Sequence, residues 1–129
     1  MKPDVLHMKW WGWGEEGVFF NYQNKPAFAP FVKKALAIDL RPRKIDTIAF
    51  DPDTVAASPV PAALLASLVE ALDADLVTTD AHERVVHGHG SSVTELLHVS
   101  RGDYGRLPEV VVYPRNDAEV AAVLALAVA

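Results

Sequence analysis

The chain contains no cysteine among its 129 residues. That excludes a disulfide, a thiolate zinc site and a cysteine nucleophile. Basic charge is scarce too: 12 Lys and Arg stand against 17 Asp and Glu, for a formal net charge of -5. Nucleic acid and anionic membranes both demand a basic face, so neither is expected as a partner. No apolar run has the length of a transmembrane segment, and residues 1–4 lack the basic-then-apolar pattern of a signal peptide. The expected location is therefore cytoplasmic. Also missing are a Gly-rich phosphate loop, a Walker sequence, a Gly-x-Ser-x-Gly motif and carboxylates paired at a telling spacing. There is no internal repeat. What remains is 50% hydrophobic and 22% charged, the composition of one globular domain with a modest core.

The most unusual stretch comes first. Between His7 and Tyr22 lie all 3 tryptophans of the chain, Trp10, Trp11 and Trp13, with Gly12 and Gly14 between and beside them and Val18-Phe19-Phe20 following. It reads as a loop leading into a short extended piece. The rings suit either local core or a strip that docks on something else. On the docking reading, several of the three tryptophans are expected to be exposed.

Helical signals dominate thereafter. Pro30 opens a helix over 30–37 in which Phe31, Val32, Ala35 and Leu36 share one face. Residues 38–60 read as an irregular connector with a short strand near 45–50. Leu64, Leu65, Leu68, Val69 and Leu72 recur at helical spacing over 61–72. Asp80-x-x-Glu83 and Ser92-x-x-Glu95 fit the capping box and predict helices over 81–87 and 93–99. "RGDYGRL" is a turn-rich link in which Arg101 is available to a carboxylate. "EVVVYP" suits a buried strand, and Asn116-x-x-Glu119 caps a final helix over 117–128. That helix is apolar from Ala118 onward except for Glu119, so it is expected to be covered on most sides, with a second, parallel strand to follow. On this pattern the chain is expected to stop inside a larger fold.

"HERVVHGHG" holds the one obvious cluster of chemical side chains. His82, His87 and His89, with Asp80 and Glu83, have the atoms of a metal site. The spacing favours another reading: Asp80 is a helix cap, Gly88 and Gly90 end the helix through their conformational freedom, and the histidines pack locally. No metal site is assigned. His87 and His89 remain candidates for acid–base chemistry, because imidazole titrates near neutrality.

Together, "MKWWGWG" and the order Asp80, Arg84, His87-Gly88-His89, Arg101-Gly102, Pro108–Val111 and Tyr113-Pro114 resemble the N-terminal part of the alkyldihydroxyacetonephosphate synthase family. These are flavoproteins of the vanillyl-alcohol-oxidase superfamily, with a PCMH-type FAD-binding domain. The resemblance covers about residues 8–128. It implies an α+β protein in which residues 1–107 form a mostly helical extension and 108–129 supply the first strand and helix of the FAD domain. It implies FAD as cofactor, a lipid-like or alcohol substrate, and exchange of an acyl for an alkyl group on acyl-dihydroxyacetone phosphate in ether-lipid synthesis. A related alcohol or 2-hydroxy-acid oxidase is the alternative within the superfamily. In the family the glycine-rich turn that holds the FAD pyrophosphate, and the catalytic residues, align beyond residue 129. The resemblance therefore implies that these residues alone are inactive and associate with the rest of the enzyme. Pro114, at the strand exit, is the one candidate for contact with the flavin nucleotide. The competing class is a non-enzymatic helical module that binds a partner through its aromatic strip.

Overall fold

The computed structural model describes residues 8–18, 24–40 and 48–128, and the chain divides into two compact units. Among the described residues, the smaller unit (Gly17–Ile48) contains α1, Phe28–Leu36. The helix begins two residues earlier than Pro30 implies. Of its apolar positions Val32 is buried, while Phe31 and Leu36 are exposed. Ala37 closes it in the left-handed region, its N–H donating to the Lys33 carbonyl. Residues 19–20 of the expected extended piece and most of the strand expected near 45–50 lie outside the described residues; Val18 and 48–50 form no strand.

The larger unit joins residues up to Glu16 with those from Ala49 onward. Its described elements are α2 (Ala62–Leu72), β1 (Val77–Thr78), α3 (Ala81–Val86), α4 (Val93–Val99), β2 (Val111–Val112) and α5 (Asp117–Ala127), with short 3-10 turns at Pro52–Thr54 and Ala74–Leu76. The architecture is α+β: helices around a two-stranded antiparallel sheet with Val77 opposite Val112 and Thr78 opposite Val111. Tyr113 N–H extends the pairing by donating to Leu76 O at 2.9 Å. The valine run thus finds its partner upstream and antiparallel, in a strand too short to leave a periodic trace.

Helix α2 carries Leu68 and Leu72 into the core and packs against β1 and α5. Leu72, Leu76 and Val85 are fully buried. Each such side chain removed from water contributes about 1.5–3 kcal/mol before entropy is counted. The three helix starts are capped, but the box expected at Asp80 is only half formed, because the Asp80 N–H donates to Thr78 Oγ1 and the Glu83 carboxylate accepts from Tyr113 instead. Asp80 accepts from Glu83 N–H, Ser92 and Glu95 form a reciprocal capping box, and Asn116 accepts from Glu119 N–H. Helix α5 differs from its sequence expectation: none of its described residues is buried, and Val120 and Leu124 stand exposed although α2 covers part of it. Among the described residues, no helix is long and apolar enough to cross a membrane.

Candidate functional site

The residues singled out by sequence cluster around α3. Arg84 is the most constrained of them. Its side chain is only 4% exposed. Nε donates to Pro108 O and Nη1 to Ala56 O, each at 2.8 Å. Two separate chain segments are thereby pinned to one helix. A buried guanidinium with carbonyls for partners spreads its charge over several hydrogen bonds, which a lysine could not reproduce.

Gly88 works beside it. A Cβ there would lie 2.5 Å from Leu107 Cδ2 and 2.8 Å from Arg84 O, so the backbone can approach the 107–108 segment only without a side chain. This corrects the reason expected for the glycines. Neither Gly88 nor Gly90 has positive φ, and α3 ends at Val86 without left-handed glycine. Gly88 is required for space rather than for conformational freedom.

Further along α3, Glu83, His87 and Tyr113 converge. Tyr113 Oη donates to Glu83 Oε2 at 2.5 Å. His87 Nε2 lies 3.1 Å from the same phenol oxygen and 3.6 Å from Glu83 Oε2. The two rings meet edge to face at 5.8 Å. Burial, followed by the hydrogen bond and charge of Glu83, pushes the phenol pKa well above its ordinary value. Tyr113 is therefore a proton-bearing strut between β2 and α3, not a base.

The other histidines go elsewhere. His82 packs edge-on against Phe50 at 5.1 Å. His89 directs Nδ1 to Gly90 O at 2.7 Å, and its Nε2 is buried with no hydrogen-bond partner among the described residues. Asp80 is engaged as a cap. Among the described residues no three of these groups come together as metal ligands. His87 and His89, joint candidates by sequence, thus make unrelated contacts. Pro114 is exposed, one residue beyond Tyr113. In the 101–107 link Asp103 pairs with His98 at 2.8 Å, whereas Arg101 forms no ion pair among the described residues.

The tryptophan strip forms a tight turn. Met8 bridges to Glu15, Lys9 N–H donates to Gly14 O at 3.0 Å, and Gly12 and Gly14 take φ of 111° and 83°, which side chains resist. Trp10 packs on Phe50 at 5.3 Å. Trp11 Nε1 donates to Leu96 O at 2.9 Å, and Trp13 Nε1 to Ser91 O at 2.8 Å. Trp10 and Trp11 are half-buried, while Trp13 is 62% exposed. The strip therefore docks on α4 and on Phe50, and Trp13 alone among the three stands mainly in solvent.

Glu95 holds the loop between α3 and α4. It accepts from Ser92 Oγ at 2.7 Å, from Gly90 N–H at 3.1 Å and from Ser92 N–H at 3.2 Å. These bonds, Ser92 Oγ foremost, keep its carboxyl below the usual carboxylate range. Comparison of the chain with protein-family models, curated proteins and solved structures finds no match.

Proposed function

We propose that these residues are the opening module of an FAD-dependent flavoprotein resembling alkyldihydroxyacetonephosphate synthase, and that they supply scaffold rather than catalytic groups. One observation carries the reading. Two of the stretches that carry the resemblance, 80–89 and 108–114, form one physical cluster: Arg84 on Pro108, Gly88 against Leu107 and Pro108, His87 with Tyr113. Their spacing is the signature of a folded unit whose parts require each other.

Among the described residues, those beside Pro114 do not fit an FAD diphosphate. The first turn of α5, the nearest helix start to Pro114, carries Asp117 and Glu119, and an acidic first turn repels phosphate. The Glu119 N–H is occupied by Asn116, and the Arg115 N–H by the Glu119 carboxylate at 2.7 Å. On this reading the flavin is held by other residues of the enzyme, and the unit offers them the exposed side of α5.

The test is to co-express the chain with the polypeptide encoded immediately downstream of it. The purified complex is then assayed for exchange of the acyl group of acyl-dihydroxyacetone phosphate with a long-chain alcohol. Exchange supports the reading. Peroxide formation from alcohols or 2-hydroxy acids keeps the flavoprotein but replaces the transferase with an oxidase. No flavin and no association reject it.

A further inference from the structure

We infer that α1, with its exposed apolar and basic side chains, attaches the protein to a membrane surface rich in anionic lipid. The net charge of -5 argues against such a partner only if charge is evenly spread, and it is not. Residues 17–48 hold 6 of the 12 Lys and Arg but only 2 of the 17 Asp and Glu, a formal +4. The rest of the chain holds 6 and 15, a formal -9. Apolar exposure follows the same division. Val18, Phe31, Leu36, Ile38 and Ile48 are 5 of the 12 exposed large apolar side chains, although the described residues of this unit are only 17, 18, 24–40 and 48. Basic charge and exposed apolar side chains in one short segment complement an anionic bilayer, which offers phosphates above hydrocarbon.

The order of side chains on α1 suits the headgroup layer. Val32 is the buried residue of the helix. At about 100° per residue, the side opposite Val32 carries Lys33 and Lys34, with Phe31 and Leu36 flanking them. Those two flanking side chains are 65% and 64% exposed. Lys34 forms no ion pair among the described residues, and the pair of Lys33 with Asp39, at 3.4 Å, is itself exposed. Each ammonium reaches lipid phosphates while its methylene stem and the neighbouring Phe or Leu enter the acyl boundary. A helix of 9 residues is about 14 Å long, too short to span a bilayer, so it lies along the surface. A bilayer yields around side chains that stand on two flanks, whereas a folded protein partner has to match their shape. The inference is independent of the flavoprotein reading.

The test is co-sedimentation of the full chain with vesicles of phosphatidylcholine alone and of phosphatidylcholine mixed with phosphatidylserine. The chain is expected to pellet with the mixed vesicles only, and less as salt is raised. Lys34→Gln is expected to weaken binding about five-fold, and Phe31→Gln about ten-fold. Both side chains are exposed, so neither variant is expected to change the circular dichroism spectrum. Val93→Gln removes a side chain that is 71% exposed in the acidic unit, and it is expected to bind as the wild type does. Equal pelleting with both kinds of vesicle, pelleting indifferent to salt, or equal binding by Lys34→Gln, Phe31→Gln and the wild type overturns the inference. So does a failure to pellet at all. If the chain then self-associates and Phe31→Gln abolishes it, the surface belongs to a second copy of the chain instead.

Discussion

Arg84 donates to the Pro108 carbonyl at 2.8 Å from a position only 4% exposed. Removing this side chain leaves the carbonyls of Pro108 and Ala56 without their donor. Arg84→Ala is expected to destabilise the larger unit by about 2–4 kcal/mol, and Arg84→Lys by about 1–2 kcal/mol, because one ammonium cannot span both acceptors. Urea denaturation monitored by circular dichroism measures both.

Gly88→Ala places a methyl 2.5 Å from Leu107 Cδ2 and 2.8 Å from a backbone oxygen. The expected loss is about 1–3 kcal/mol, the usual cost of forced overpacking. Gly90→Ala meets only the Glu95 carboxylate, at 3.1 Å. That side chain can swing away, so the loss is expected to be smaller. Equal midpoints for the two variants would show that Gly88 is not a close-approach position.

Asp73 holds φ at 98° and ψ at 147°, a region that costs a side chain about 1–3 kcal/mol. What it gains there is an exposed ion pair with Arg115 at 3.1 Å, a contact that solvent screens. Asp73→Gly relieves the first and forfeits the second. It is expected to raise stability by roughly 1 kcal/mol in the same denaturation experiment.

The phenol of Tyr113 has a raised pKa in the folded state. Its stabilising contribution is full below the ordinary phenol pKa of about 10 and declines as pH rises beyond it, because the unfolded chain loses the proton first. The alkaline limb of a stability–pH profile should be shallower in Tyr113→Phe than in the wild type. Parallel limbs would contradict the strut.

Much of this arrangement is legible before any coordinates. The leucines of α2 recur at helical spacing, and Asp80, Ser92 and Asn116 mark three helix starts, because caps and periodicity act over a few residues. β1 is not legible: two residues, Val77 and Thr78, cannot display a period. Glu83 and Tyr113 meet across 30 positions, and Arg84 reaches Pro108 across 24. Only tertiary packing brings such pairs together. Gly88 stands out by sequence, but its reason, the approach of Leu107, is visible only in space.

The module reading is tested most directly by the absorbance spectrum of the chain co-expressed with its downstream polypeptide. The complex is expected to co-purify in equal amounts and to carry flavin absorbance at about 450 nm, and the chain alone is expected to be colourless. A colourless complex, a failure to associate, or flavin bound by the isolated chain would contradict it.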